Sequence, residues 1–247
     1  MYSYIINGGR KLEGETFCSG SKNAALPIIA ASILNSGITK LYNVPKIHDT
    51  QIMFEILKQL GCIIKKETNK VIIDSKKMLS YEIPHDLMKQ MRSSVMIVGA
   101  IIGRMKKAIF SYPGGCDIGA RPIDLHLKSF KDLGINIKEE SGEIECFTEK
   151  IIPNEIHLDF PSVGVTENIM LVSVLINGLT IIKNAAMEPE IVDLQNMLNK
   201  MGAKISGAGS REIKIIGVKK LKDVSYNIMP DRIEAGTLLC AAAETRR

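Results

Sequence analysis

The chain repeats one pattern of hydrophobic and polar positions three times. In each copy an almost wholly apolar stretch is followed by a short strand and a turn, then by an amphipathic helix, a glycine and two strands. The apolar stretches read ALPIIAASIL, SSVMIVGAII and ENIMLVSVLI. A helix that is apolar nearly all round belongs in the interior of a water-soluble domain. The pattern therefore predicts three buried central helices.

The amphipathic helices of the three copies share their first and last residue types. They read DTQIMFEILKQLG, DLHLKSFKDLG and DLQNMLNKMG, which predicts starts at Asp49, Asp124 and Asp193 and ends at Gly61, Gly134 and Gly202. Aspartate at a helix start accepts hydrogen bonds from free backbone N–H groups, and glycine at the end can adopt the left-handed conformation. The strand pairs that follow alternate in polarity, which predicts one buried and one solvated face.

Three copies in register predict a domain with pseudo-threefold symmetry. The fold class is an inside-out α/β barrel of three repeated units, with the apolar helices at the centre and the amphipathic helices and strands outside. We assign residues 21–229 to this domain. Residues 1–20, with the strand-like YIINGGR, and residues 230–247, which resemble the first helix of a fourth copy, are expected to be two ends of a second domain that is only partly contained in the chain.

Composition narrows the class of protein. The 247 residues are 45% hydrophobic and 24% charged, with a net charge of +5 spread along the chain. Without a basic cluster, without Trp and with few other aromatic residues, the chain offers nothing that favours nucleic acid as a partner. The start lacks a signal-peptide pattern, and the longest uncharged run, 23–39, is too short to span a bilayer. We expect a cytoplasmic monomer without a membrane partner.

Cysteines and histidines do not show the spacing of a metal site. Cys18, Cys62, Cys116, Cys146 and Cys240 lie far apart without a CxxC motif, and the four histidines have no ligand spacing. No metal and no cofactor are predicted. An odd number of scattered cysteines is typical of a protein with reduced thiols.

Two cationic side chains lie at the starts of buried helices. Lys22, followed by Asn23, precedes the first apolar helix, where an ammonium group beside free N–H groups forms an anion site. Arg92 has the equivalent place in the second copy, so both cations could converge on one anionic ligand. A solvated lysine beside a helix cap and an arginine whose head group reaches solvent are the alternatives.

The segment SYPGGCDIGARPIDLH, residues 111–126, is predicted to be an irregular loop that leads into a helix. Cys116 at its centre is a candidate acid or nucleophile. Arg121 and Asp124 follow at the helix start, where arginine can bind phosphate or carboxylate. A surface loop with an incidental cysteine is the alternative. The GxxxxGK[ST] phosphate loop is absent from the sequence.

The segment PSVGVT, residues 161–166, precedes the third apolar helix. Its hydroxyl and N–H groups are of the kind that hold phosphate or sugar oxygens, although a plain helix cap has the same sequence. The histidines are interpreted as exposed or core-edge residues, and His126 is set apart only by its place in the loop motif. The segments 188–190 and 231–232 are interpreted as helix-start and hinge residues.

Several segments together resemble one family, the UDP-N-acetylglucosamine 1-carboxyvinyltransferases. They are SGSKNAALPIIAASIL, LYNVPKIHDT, MRSSVMIVGA, PGGCDIGARPIDLHL, PSVGVTEN, IIKNAAMEPEIVDLQNMLNKMGAKISG and MPDRIEAGT. The resemblance runs from residue 7 to about residue 243. It implies the inside-out fold and the transfer of enolpyruvyl from phosphoenolpyruvate to the 3-hydroxyl of UDP-N-acetylglucosamine, with release of phosphate, in peptidoglycan synthesis.

The resemblance also implies a role for individual residues. Lys22 and Asn23 would hold phosphoenolpyruvate, with Lys22 counted as catalytic. Cys116 would be the general acid that protonates the methylene carbon, and the target of fosfomycin. Arg92 and Arg121 would add positive charge where the substrate anions meet. The remaining residues would line the UDP-sugar site; they are Arg121, Pro122, Ile123, Asp124, Leu125, Ser162, Val163 and Gly164.

The chain departs from the family pattern, and two alternatives stay open. It has little more than half the usual length, so the family's general base, an aspartate, is expected beyond residue 247, and His48 stands where lysine is common. One alternative is a catalytically inactive fragment that binds UDP-sugar. The other is a sister shikimate-phosphate-type enolpyruvyl transferase, which the Gly-Gly-Cys loop disfavours.

Overall fold

The structure is a computed structural model that describes residues 3–9, 12–114 and 123–244. In chain order these residues form α1 (Lys22–Ala31), β1 (Ile38–Tyr42), α2 (His48–Gln59), β2 (Ile63–Lys66), β3 (Lys70–Asp74), α3 (His85–Gln90), a 3₁₀ helix (Arg92–Ile97), α4 (Val98–Met105), β4 (Lys107–Ser111), α5 (Asp124–Asp132), β5 (Asn136–Glu140), β6 (Glu143–Phe147), β7 (Glu155–His157), α6 (Val163–Ser173), β8 (Leu179–Lys183), α7 (Pro189–Lys200), β9 (Lys204–Ser206), β10 (Glu212–Ile216), β11 (Val224–Asn227) and α8 (Arg232–Glu244).

The apolar stretches form the centre of the molecule, as their pattern predicts. Helices α1, α4 and α6 are buried along nearly all of their length. The second of them begins as the 3₁₀ helix, in which the Ser94 hydroxyl donates to the carbonyls of Met88 and Met91. Gly99 lets α4 approach α6 closely, since a Cβ there would lie 2.5 Å from the Asn168 carbonyl oxygen. The predicted inside-out α/β arrangement of three units is confirmed.

Each unit has its own sheet, and two of the three sheets have an edge strand from the preceding unit. The hairpins β2–β3, β5–β6 and β9–β10 are antiparallel. β7, which follows the second unit, pairs in parallel with β8 of the third, and β11, which follows the third, pairs in parallel with β1 of the first. A parallel bridge joins Glu82 to Ile109 in β4. This ring supports the assignment of residues 21–229 to one domain, which stays a prediction.

The predicted ends of the amphipathic helices are confirmed. Gly61, Gly134 and Gly202 have φ of +99°, +75° and +100°. At α2 the Gly61 N–H donates to the Lys58 carbonyl and the Cys62 N–H to the Leu57 carbonyl, both at 2.9 Å, and the same pair of bonds closes α5 and α7. This is the Schellman motif, which satisfies carbonyls that the helix end would leave without partners.

The predicted helix starts are wrong in two of three cases. α5 begins at Asp124, but α2 begins at His48 and α7 at Pro189, whose fixed φ suits a first helical residue. None of the three helices has a side-chain cap at its N-terminus. Asp193 lies within α7, where it accepts hydrogen bonds from the Tyr226 hydroxyl at 2.6 Å and the Met229 N–H at 3.2 Å. This aspartate ties α7 to the chain after β11.

Two glycine-to-alanine variants test the helix ends. Gly202→Ala should lower the free energy of unfolding by about 1–2 kcal/mol, because a Cβ in a left-handed conformation is strained, and its nearest neighbour would be Lys222 Cε at 3.9 Å. Gly61→Ala should cost more, because its Cβ would also lie 2.9 Å from the Lys77 carbonyl oxygen. Urea unfolding of both variants measures the difference. Equal losses would contradict the role given to the close approach.

The segments before and after the three units cross each other. The Ser21 N–H donates to the Met229 carbonyl and the Asp231 N–H to the Ser19 carbonyl, both at 2.8 Å. The predicted strand YIINGGR is wrong, because its described residues, 4–9, are exposed and have no strand to pair with in the described part of the chain. The predicted last helix is confirmed as α8, whose Ile233 and Leu239 are exposed. The second domain stays a prediction.

Candidate functional site

A cavity of about 640 Å³ lies where the central helices begin. Its wall includes Asn23 at the start of α1, Arg92 at the start of the 3₁₀ helix, and Val163 at the start of α6. The first N–H groups of an α-helix have no partner within the helix and carry partial positive charge. The pseudo-threefold symmetry therefore brings groups that suit an anion to one place.

Five of the predicted site residues line this cavity. They are Asn23, Arg92, Ser162, Val163 and Gly164. The hydroxyl of Ser162 accepts from the Val165 N–H at 3.5 Å, so this residue is also the cap of α6. Of the predicted anion-binding groups, the structure thus brings the first and third helix starts together with one arginine.

Lys22 lies beside the cavity rather than in its lining. Its Nζ is 3.3 Å from Asp49 Oδ2, and its backbone N–H donates to Asp231 Oδ2 at 3.2 Å. Both side chains of the Lys22–Asp49 pair are partly exposed, at 46% and 28%. Such a pair is worth at most about 1 kcal/mol, so the ammonium can exchange its partner for a bound anion.

The predicted residues of the loop motif divide into two groups. Cys116, Arg121 and Pro122 lie outside the described residues. Ile123 is buried, Asp124 is exposed and Leu125 packs on the core, and none of these three lines the cavity. From this part of the sequence it is His126, the third residue of α5, that lines the cavity.

His126 is buried in the wall, with 9% of its surface exposed. Its Nδ1 lies 2.9 Å from the amide Nδ2 of Asn168 in α6. Burial, and then the nearby charge of Arg92, lower the pKa of this imidazole to about 4. The ring is therefore neutral at physiological pH.

The acidic side of the cavity is formed by Glu167 and Glu188. Glu167 is 1% exposed, and its Oε1 has no hydrogen-bond partner among the described residues. Burial, and then the charges of Glu190 and Glu188, raise the pKa of Glu167 well above its ordinary range. Glu190 is itself 2% exposed and accepts from Arg232 Nε at 2.9 Å. Burial thus favours the protonated form of Glu167, next to Glu190 and its partner Arg232.

Comparison with known proteins places this architecture in a family. The family model described as EPSP synthase (3-phosphoshikimate 1-carboxyvinyltransferase) matches residues 6–247. The chain belongs to this family. In structure it is similar to the enolpyruvyl transferase NikO from Streptomyces tendae, with a TM-score of 0.83 and 23% identity over 95% of this chain and 56% of that one. EPSP synthase from Acinetobacter baumannii has a TM-score of 0.74 at 18% identity, over 94% of this chain and 53% of that one. These two likenesses confirm the predicted fold.

Within the EPSP synthase family, the chain is similar in sequence to proteins named UDP-N-acetylglucosamine 1-carboxyvinyltransferase. It is 54% identical to number 2 of that name from Caldanaerobacter subterraneus subsp. tengcongensis, over 100% of this chain and 59% of the relative. It is 48% identical to the one from Thermotoga maritima, again over 100% and 59%. The resemblance inferred from the sequence is confirmed, and the chain spans about 59% of the length of these relatives.

Among the described residues, no helix is long and apolar enough to cross a bilayer. The same residues contain no group of three or more His, Cys, Asp and Glu side chains that could hold a metal ion.

Sequence reasoning missed His126, Asn168 and Glu167 as parts of the cavity and its support. Glu167 and Asn168 are the first two residues of the segment ENIMLVSVLI, which was predicted to be a buried helix. A polar residue in such a helix is a signal in itself, because a buried polar group needs a partner. Glu188 forms the start of α7 as interpreted, with Pro189 as its first residue. The signal for His126 was only its position in the loop motif.

Glu167→Gln in this family member should raise the free energy of unfolding at neutral pH and not near pH 4. Below the ordinary carboxyl value of 4.5, Glu167 is protonated in both the folded and the unfolded chain. Above it the unfolded chain ionises and the folded chain does not until its raised pKa, so wild type loses stability relative to the variant by up to about 1.4 kcal/mol per pH unit. Urea unfolding from pH 4 to 7 measures this gap, and a gap independent of pH would contradict a neutral Glu167.

Proposed function

We propose that the protein transfers enolpyruvyl from phosphoenolpyruvate to the 3-hydroxyl of UDP-N-acetylglucosamine and releases phosphate. The observation that carries the proposal is the cavity in which the starts of α1 and α6 and the side chain of Arg92 come together. Relatives that carry the name of this activity match the whole chain at 46–54% identity. Action as a monomer in the cytoplasm is part of the same proposal.

The electrostatics of the cavity support two anionic substrates. Phosphoenolpyruvate carries a phosphate and a carboxylate, and UDP-N-acetylglucosamine carries a diphosphate. Arg92 and the beginning of α6 at Val163 supply positive charge and free N–H groups inside the cavity. Lys22 supplies a second cation at its edge, once it leaves Asp49. We propose Lys22 and Asn23 as the phosphoenolpyruvate-binding pair.

The UDP-sugar is proposed to lie along the other wall. Ser162, Val163 and Gly164 form that wall in the described part of the chain. Arg121 and Pro122, and the α5 start at Ile123, Asp124 and Leu125, are proposed to complete the site. The neutral carboxylic acid of Glu167 can donate one hydrogen bond and accept others, which suits a hydroxyl or an amide of a sugar.

The chemical step is proposed to use Cys116 as general acid. The sugar hydroxyl oxygen bonds to the central carbon of phosphoenolpyruvate while the thiol gives its proton to the methylene carbon, which becomes a methyl group. Transfer of a proton from that methyl group back to the thiolate, with breaking of the carbon–oxygen bond to phosphate, then restores the double bond and the thiol and releases phosphate. The group that accepts the hydroxyl proton is expected, from the family resemblance, beyond residue 247.

Phosphate release tests the proposal. The chain is incubated with phosphoenolpyruvate and UDP-N-acetylglucosamine together and with each substrate alone, and binding of the UDP-sugar is followed by calorimetry. We expect the chain to bind the UDP-sugar, and phosphate to be released only when both substrates and the part of the protein with the proton acceptor, beyond residue 247, are present. A parallel reaction with 3-phosphoshikimate as acceptor tests the family's other activity. Release with that acceptor alone would overturn the proposed acceptor, and binding without release would leave a UDP-sugar-binding chain without catalysis.

A further inference from the structure

The buried amide of Asn168 and the buried imidazole of His126 lie within hydrogen-bond distance at the wall of the cavity. We propose that Asn168 is a positioning residue that holds His126 in the tautomer with its proton on Nε2, and that this N–H donates a hydrogen bond to an oxygen of the nucleotide sugar. The first half of the proposal concerns the folded chain alone. The second half rests on the function proposed above.

The orientation of the Asn168 amide is fixed by two backbone groups. Its Oδ1 lies 2.7 Å from the Gly99 nitrogen, which can only donate. Its Nδ2 lies 3.1 Å from the Val95 carbonyl oxygen, which can only accept. If the amide oxygen and nitrogen of Asn168 were exchanged, its NH2 would face the Gly99 N–H and its oxygen would face the Val95 carbonyl. Asn168 is only 1% exposed, so the mismatch would be buried. The oxygen therefore faces α4, and the nitrogen faces Val95 and His126.

The fixed amide decides where the histidine proton lies. Asn168 Nδ2 is a donor and lies 2.9 Å from His126 Nδ1, so Nδ1 must accept and carries no proton. The ring is neutral, since burial and Arg92 disfavour the imidazolium. A neutral imidazole has one proton, and that proton is on Nε2. The Asn168 amide thus holds His126 in the tautomer that donates a hydrogen bond through Nε2.

The protonated nitrogen lies on the edge of the ring that faces Gly164. A Cβ placed on Gly164 would lie 3.3 Å from His126 Cε1 and 3.5 Å from Nε2, so this edge of the ring packs on the start of α6. Both residues line the cavity. Nε2 makes no hydrogen bond to any other described residue. A donor that has no partner among the described residues, beside Arg92 and a helix start, fits an oxygen of an anionic ligand.

The tautomer is tested without any ligand. ¹⁵N spectra of histidine-labelled chain, with the His126 signals assigned by their loss in His126→Gln, report which ring nitrogen carries the proton. At neutral pH we expect a bare Nδ1 and a protonated Nε2. Asn168→Asp replaces the amide donor by an acceptor and should move the His126 signals toward a protonated Nδ1. A protonated Nδ1 in the wild type, or His126 signals unchanged in Asn168→Asp, would overturn the positioning role.

The donor is tested by two amide replacements of His126. Glutamine places its amide nitrogen near the position of Nε2, whereas asparagine places it near Nδ1. If the Nε2 proton serves the ligand, UDP-N-acetylglucosamine should bind His126→Gln within about threefold of wild type and His126→Asn about tenfold or more weakly, as for the loss of a hydrogen bond to a charged group. Equal binding by both variants, or better binding by His126→Asn, would assign the ring a structural role only.

Failure of the proposed function gives a different result. If the wild-type chain does not bind UDP-N-acetylglucosamine in calorimetry, the function and the ligand half of this inference fall together. The ¹⁵N spectra still decide whether Asn168 sets the tautomer of His126, because that measurement needs no substrate.

Discussion

Replacing Cys116 by alanine is expected to lower the rate of phosphate release by about 10²–10⁴-fold, the usual contribution of a positioned general acid. Binding of UDP-N-acetylglucosamine and the midpoint of urea unfolding should stay unchanged, because the proposed role begins only after both substrates are bound. Steady-state phosphate release, calorimetry and unfolding on the same preparation measure the three quantities. A variant that keeps the wild-type rate would remove Cys116 from the mechanism.

The other cysteines provide the controls for this experiment. Burial raises the pKa of Cys62 to about 11 and that of Cys146 to about 12, so both remain unreactive thiols near neutral pH. Cys240 is exposed on α8, and Cys240→Ala should keep the wild-type rate. Treatment with the epoxide fosfomycin should label the wild type on one thiol and leave Cys116→Ala unlabelled. Labelling of Cys240 with loss of release would contradict the assignment.

Local patterns explain why much of the fold could be predicted from the sequence. A helix that is apolar on every side can only be buried, so the three central helices followed from periodicity alone. A glycine after an amphipathic helix stabilises a left-handed cap through bonds to residues that are close in sequence, and all three caps at Gly61, Gly134 and Gly202 are present.

Features that depend on distant residues were not predictable in the same way. α7 begins at Pro189 and not at the predicted Asp193. Asp193 accepts hydrogen bonds from Tyr226 and Met229 and does not cap the helix. The strand predicted for YIINGGR needs pairing groups that the described chain does not offer. Strand pairing and side-chain hydrogen bonds between residues that are far apart in the sequence leave no periodic pattern in it.

The candidate site likewise contains residues that local sequence patterns predicted and residues that depend on distant contacts. Asn23, Arg92 and Ser162 were found because each marks the start of a repeated helix, and the repeat brings those starts together. His126 and Asn168 were not assigned to the site, since their meeting depends on how α5 packs against α6. A polar residue inside an apolar helical run was the available signal, and it points to Asn168.

Asn168→Leu is expected to destabilise the folded chain by about 3 kcal/mol. Leucine has the same number and branching of side-chain heavy atoms as asparagine and suits a buried helix, but it satisfies none of the groups that the amide bonds. The Gly99 N–H would be buried without its side-chain partner, and such a group costs about 1–3 kcal/mol. The Val95 carbonyl would keep only the Val98 N–H. His126 Nδ1 would lose its donor as well. The loss falls at the contact of α4 with α6, the centre of the inside-out fold.

Ser173→Ala on the same helix is the matched control. Ser173 is 1% exposed, and its hydroxyl has no hydrogen-bond partner among the described residues, so its removal leaves no group without a partner. The free energy of unfolding of Ser173→Ala should stay within about 0.5 kcal/mol of wild type or rise slightly. Urea unfolding with equal m values would show that the two variants differ in stability alone. If Asn168→Leu lost no more than Ser173→Ala, the amide would not be the group that joins α4, α6 and His126.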